Sequence, residues 1–563
     1  MTSVTEVMVE KKTFSAADGL IAVGMADLLN EILRPTDAEA IVKDDGDRYI
    51  IEIEEGITWD DLQKWRPAPG YPYVITKEPD ADAPLVGERF DYVTERKKEE
   101  VWKKFREKTG EKGKKLRQDM ENAPIEPDNL LPLYKTYNSL RMGSNCLNQL
   151  YLALQDQEEL REIVGKRLGV LDNYSSEAGE LEGKLAKIPS PLQIFSPISG
   201  KGIHRPKPDS TTLASFPAKL VDWFDEWMKY RAMTKSMLSF FTGSDGKDTK
   251  LMVLAPARAS SEIIEKIHCE LLEKRLYGSV KLDINLLLNT ADLLIKHSKE
   301  YSAAKGKFAL DNAPPNKIIR GLYSVYFKNL GTASAVMNLS FLGLPGWFPV
   351  TDYQSARDWV DILQEHLACI NTLNESHSSD VALLLTYRDY LSTGDLRLLL
   401  EFWALFGMRF MQLKAENKYA QAFTIKNVRR LLMSYHLAEI IENEGFLNVA
   451  TAIRKSTINP QMRKAGSGKA PFEIHYGLAQ NWKRKSKHQE DFIKEISDFV
   501  QRYNAENARH IEQGKERRNN ITTEDLDQVF ALVEKHGSEL VGMLLLAYGY
   551  ARSPKDDEKG VSQ

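Results

Sequence analysis

Between Ser355 and Arg552 almost every stretch of the chain spaces its apolar residues three and four apart, a pattern that leaves little besides a helical bundle. The runs are Ser355–Leu373, a pair from Asp380 to Glu416, Ile425–Glu444, Phe446–Lys455, Phe472–Lys485, Gln489–Asn507, Thr523–Lys535 and Glu539–Tyr550. Gly394, Gly445 and Gly537 fall at the breaks, where a helix end favours a residue without a Cβ. Thr523 with Asp525 and Asp527 close behind marks a helix start, because short polar side chains satisfy the free N–H groups there. No repeat of fixed period appears, so a solenoid is not expected.

The preceding residues read differently. Ser15–Leu33 has helical spacing, whereas Arg48–Ile53 alternates as a half-buried strand does. Proline is dense between Arg66 and Pro84 and predicts a surface loop. Phe216–Met237 is an amphipathic helix, Lys250–Leu254 a buried strand, and helices are expected over Ser260–Leu276, Leu282–Ser302 and Asn316–Tyr326. The segment GLPGWFP after Leu342 breaks structure. A chain of 563 residues exceeds what one hydrophobic core organises. The expected class is α+β: a mixed α/β N-terminal domain over 1–350, then an all-α C-terminal helical bundle over 351–563.

Charge limits the function. With 76 Lys and Arg against 80 Asp and Glu the formal charge is −4, so the chain does not coat nucleic acid with its whole surface. Any such contact is local, and three segments are candidates. Thr94–Arg117 holds 11 cations against 5 Glu, and i,i+4 pairing makes a solvated helix the expected reading. The loop Ile188–Ser210 carries Lys201, His204, Arg205 and Lys207 among glycines and prolines, a composition suited to close approach of a phosphate backbone. Thr451–Gln489 has nine cations and one acid, including Arg454, Lys455, Arg463, Lys464, Lys483, Arg484 and Lys485. A solvated face mixes both signs, so this segment favours a phosphate-binding strip. Trp482 within it is expected in the core.

Enzymatic chemistry finds no support. None of the ten His adjoins a partner in a known catalytic arrangement, and HExxH and Walker spacings are absent. No catalytic residue, metal ligand or cofactor is assigned. Cys146, Cys269 and Cys369 are too scattered for a disulfide framework or a zinc site. No apolar run approaches the ~20 residues that span a bilayer, and the first fifteen residues lack signal-peptide order, so a cytoplasmic location without membrane contact is expected.

Three stretches carry a resemblance: FSPISGKGIHRPKPDS, the KLMVLAP strand after a Trp-rich helix, and the final ~120 residues from FLNVATAIRKSTINPQ through NWKRKS to LVGMLLLAYGYAR. Their order resembles the large subunit of type I CRISPR–Cas effector complexes, the Cascade large-subunit superfamily, in an A- or B-like branch. The resemblance implies a non-catalytic protein whose N-terminal domain recognises the protospacer-adjacent motif and starts duplex unwinding. Its bundle would hold the displaced strand. Implied partners are crRNA, target double-stranded DNA, the backbone, 5′-handle-binding and small subunits, and a recruited helicase-nuclease or transposition proteins. Lys201, His204, Arg205 and Lys207 would then lie near the duplex. The cations from Arg454 to Lys485 would lie near the displaced strand or heteroduplex. Some branches also make the bundle separately from an internal start, for which Met408, Met411 and Met433 are candidates, although a core role is the expected reading of each. A helical RNA-binding scaffold or nucleoprotein unrelated to CRISPR is the alternative.

Overall fold

The computed structural model describes the chain apart from residues 1–2, 35–38, 78–79, 86, 110–122, 140–143, 189–221, 244–245, 299–313, 332–333, 347–348, 461–476, 515–517 and 554–563. It divides into two compact units, Met1–Tyr277 with Pro315–Leu344, and Gly278–Pro314 with Pro345–Gln563. The fold is α+β, strands and helices mixed in the first unit and helices dominating the second.

The first unit runs β1 (Val4–Glu10), α1 (Ala16–Leu33), β2 (Ala40–Asp44), β3 (Arg48–Ile57), α2 (Trp59–Lys64), β4 (Tyr73–Ile75), β5 (Arg89–Asp91) and α3 (Tyr92–Thr109). Helices α4 (Leu131–Ser139), α5 (Ser144–Leu154), α6 (Leu160–Leu168), α7 (Ser176–Leu185) and α8 (Trp223–Ser236) follow. Then come β6 (Met237–Thr242), β7 (Asp248–Pro256), β8 (Arg258–Ser260) and α9 (Ser261–Glu273). Two antiparallel sheets have strand orders β1-β3-β2-β8 and β10-β9-β7-β6, the last pair being β9 (Ile319–Asn329) and β10 (Ser334–Gly343), and β4 pairs with β5 in parallel.

Helix α1 is buried on nearly every side, which places it at the centre of the unit. It packs so closely on α8 that a Cβ at Gly24 would stand 2.0 Å from the Met228 carbonyl oxygen. Strand β7 is buried along its whole length because it lies between β9 and β6. The expected helix over Asn316–Tyr326 is instead β9. Its Ile, Val, Tyr and Phe residues suit a pleated surface, and pairing on both sides overrides the helical spacing. Strands β1, β2, β4, β5, β6, β8 and β10 also lay beyond the sequence reading.

The second unit begins with α10 (Val280–Lys296). It continues through α11 (Tyr353–Asn371), α12 (Ser378–Thr393), α13 (Leu396–Ala415), α14 (Ile425–Ser434), α15 (Ala438–Ile441) and α16 (Glu444–Ser456). The last four helices are α17 (Leu478–Lys485), α18 (Gln489–Glu512), α19 (Thr523–His536) and α20 (Ser538–Tyr550). Helix α10 falls in the stretch expected to be N-terminal, yet it belongs here. The Glu375 carboxylate accepts the Ser279 and Lys281 N–H groups at 3.0 and 2.9 Å, and Asn285 bonds Asn371 at 3.2 Å. Helix α20, buried nearly all round, forms the core against α16 and α13. The run Ile425–Glu444 is broken at His436, which takes a positive φ of 59°. Met408 and Met411 are core residues, while Met433 is 41% exposed.

Candidate nucleic-acid interface

In the first unit the loop 66–72, Arg-Pro-Ala-Pro-Gly-Tyr-Pro, crosses the surface as its prolines predict, but it is held firmly. Arg231 enters from α8 beneath it. A Cβ at Gly70, where φ is +77°, would meet the guanidinium at 2.0 Å, so only glycine admits it. The guanidinium donates to Asp27 Oδ2 at 3.0 Å, to Glu31 Oε2 at 2.6 Å, and to the Ala68 and Pro69 carbonyls at 3.3 Å each. Trp227 Nε1 donates to the same Pro69 carbonyl at 2.8 Å, and Trp65 Nε1 to Glu31 Oε1 at 2.9 Å. Burial opposes ionisation of both Asp27 and Arg231, but their mutual attraction prevails: the Asp27 carboxyl lies below its ordinary range and the Arg231 guanidinium above its own.

Over this clamped loop opens a groove of about 840 Å³. Arg34, Lys64 and Arg66 stand exposed along it, and none makes a hydrogen bond or ion pair with a described residue. Glu88 and Asp156 line it as well, with Tyr151 Oη donating to Glu88 at 3.4 Å. The three cations, none in an ion pair, attract a polyanion, and the carboxylates, which offset part of that charge, accept hydrogen bonds from amino groups. The clamp beneath means that the loop need not be ordered when a ligand binds. Sequence reasoning missed these three cations because Arg34 and Lys64 are thirty residues apart and meet only through the fold. The proline-dense loop was the one available signal.

The sequence-predicted residues fare unequally. Lys201, His204, Arg205 and Lys207 lie outside the described residues, as do Arg463 and Lys464. Arg454 requires correction. It is 6% exposed, and its Nε and Nη2 donate to the Ala551 and Tyr548 carbonyls at 2.8 and 2.9 Å. It closes the C-terminal end of α20 and does not face a phosphate, since position in the helix turned it inward. Lys483 forms an ion pair with Glu401, and Lys485 stands 3.5 Å from Asp491. Arg484 is exposed and bonds Asn481 at 3.2 Å, while half-buried Lys455 has no described partner. Among its described residues the segment thus brings fewer free cations to the surface than its composition implies. Trp482 is fully buried, edge-on to Phe492 and Phe499, and is unavailable to a base.

In α3 two cations are matched locally, Arg96 with Glu99 at 2.5 Å and Lys98 with Glu95 at 2.6 Å, and Lys135 of α4 meets Glu99 at 2.7 Å, while Lys103 and Lys104 stand exposed. Among the described residues no group of three or more His, Cys, Asp or Glu is placed to hold a metal, and no helix is long and apolar enough to cross a membrane. His268 and His366 are buried, which pushes them down to about 4 and about 3. They bond the Met237 carbonyl at 3.0 Å and the Tyr387 hydroxyl at 2.5 Å respectively. No protein-family model matches the chain, and no curated protein is significantly similar to it.

Proposed function

We propose that the chain is the non-catalytic large subunit of a type I CRISPR RNA-guided surveillance complex. In this reading the mixed α/β unit engages duplex DNA beside the target, recognises the protospacer-adjacent motif and promotes unwinding, and the helical unit stabilises the R-loop. The observation that carries the proposal is the groove over loop 66–72, where Arg34, Lys64 and Arg66 are free on a clamped platform in a chain of net charge −4. A protein that delegates sequence reading to guide-RNA pairing needs such local cationic patches and no global basicity. The resemblance of the final ~120 residues supports the same assignment.

Permanganate footprinting of a target duplex tests it. In a complex assembled on guide RNA, thymines next to the flanking motif become reactive only when this chain is present. Equal reactivity without the chain would remove it from the unwinding step. Binding of RNA irrespective of sequence, with no unwinding, would favour the scaffold alternative.

A further inference from the structure

A second cavity, of about 300 Å³, lies wholly within the helical unit between α16, α19 and the loop 519–522. Its walls are built from internal hydrogen bonds. Asn504 of α18 brackets Ile521, donating to its carbonyl at 2.9 Å and accepting its N–H at 3.0 Å. Asn507 donates to the Asn519 carbonyl at 3.3 Å and to Asn520 Oδ1 at 3.1 Å. Across the cleft Asn448 donates to Asp525 at 2.8 Å, and the Gly445 N–H donates to Gln528 Oε1 at 2.9 Å. The cleft is therefore formed in the free chain, at the small end of the size range of ligand sites.

Its lining keeps more polar capacity than these bonds use. The carboxylates of Glu444 and Glu524, the Lys455 ammonium and the Thr451 hydroxyl make no hydrogen bond or ion pair with a described residue. The charges are also segregated. Glu444 opens α16 and Glu524 stands in the first turn of α19, and the two helix starts touch, since a Cβ at Gly445 would lie 2.4 Å from the Asp525 carbonyl oxygen. Lys455 follows eleven positions later on α16, about 16 Å along the axis at ~1.5 Å per residue. Each Glu is favourable at its own helix start, which accounts for the residue type there but not for a polar cavity between them.

We propose that this cleft receives an extended peptide segment of a partner protein, with a Lys or Arg side chain entering between Glu444 and Glu524 and an acidic group meeting Lys455. An extended chain advances ~3.3–3.6 Å per residue, so a segment of about five residues spans the two poles. Carboxamides and a hydroxyl along the walls match the donors and acceptors of its peptide groups. A nucleic-acid backbone is the poorer occupant, because two uncompensated carboxylates repel phosphodiesters at one end. The inference does not depend on the CRISPR reading.

The test pans a random heptapeptide phage library on the full chain, then measures fluorescence anisotropy of the enriched, labelled peptide. The proteins compared are wild type, the Glu444→Gln/Glu524→Gln double variant and Lys455→Gln, with circular dichroism confirming that each is folded. Enriched sequences should place a basic and an acidic residue four or five positions apart, and each variant should weaken binding at least about fivefold. No enrichment, a consensus without that charge pair, or affinity unchanged in both variants would overturn the proposal. So would binding of labelled dT15 that Lys455→Gln abolishes and the Glu variant strengthens, which would make the cleft a nucleic-acid channel.

Discussion

Replacing Arg454 by Leu separates a structural cation from a phosphate-binding one. The wild-type guanidinium donates hydrogen bonds to the Ala551 and Tyr548 carbonyls while 6% exposed. A hydrogen bond to a charged group contributes roughly 1.5–3 kcal/mol, and a buried carbonyl left unpaired costs about 1–3 kcal/mol. These ranges describe overlapping effects, and allowing for leucine filling part of the space the net loss is about 3–5 kcal/mol. Arg454→Lys keeps the charge but cannot reach both carbonyls with one ammonium, so it should lose about half as much. Urea denaturation followed by circular dichroism reads the loss as an earlier transition of the helical unit. Under native conditions, the slope of log affinity for DNA against log salt should be the same for wild type and Arg454→Leu. A slope shallower by ~1 with unchanged stability would show that Arg454 contacts phosphate and that its inward placement is wrong.

Three further predictions concern other parts of the molecule. Changing Arg34, Lys64 and Arg66 together to Ala should leave stability within about 0.5 kcal/mol, since all three are exposed and unpaired, and should flatten the DNA salt slope by up to ~2.7. An unchanged slope in anisotropy titrations would dismiss the groove as a phosphate site. Arg231→Met should destabilise the first unit by about 3–5 kcal/mol, because Asp27 and Glu31 lose the buried partner that neutralises them. A urea midpoint equal to that of wild type would refute the clamp. His366, held down to about 3 by burial, favours the folded state fully only above its unfolded value near 6.5. Between pH 7 and pH 5 the unfolded chain takes up a proton that the folded chain refuses, so stability should fall by about 2 kcal/mol. His366→Gln should remove that part of the pH dependence, and a pH profile identical to wild type would contradict it.

The helical half was legible because its cores run along single helix faces, and the gaps at Gly394 and Gly537 fall where helices α12 and α19 end. Strand β9 was not legible, because one of its pairing partners, β7, lies far upstream in sequence, and pairing with β7 and β10 together overrides the local spacing. Helix α10 was assigned to the wrong side of a single cut because chain order does not reveal that Ser279, Lys281 and Asn285 bond to residues 371–375. Counting charge over Thr451–Gln489 left Arg454 and Lys483 misplaced for a similar reason. Composition cannot tell a guanidinium that closes α20 from one that faces water, nor reveal that Lys483 meets Glu401. Local pairing in α3, by contrast, was legible, although Arg96–Glu99 and Glu95–Lys98 pair at i,i+3 where i,i+4 was expected.

The most direct test of the central claim is co-purification: the tagged chain is expressed with its neighbouring genes, and whatever accompanies it is identified by sequencing and mass spectrometry. The account predicts a stoichiometric ribonucleoprotein containing RNA of one crRNA-like length and repeated backbone subunits, which binds matching duplex only beside a short flanking motif. Recovery of the chain alone, or coated with RNA of mixed length and sequence, would contradict it.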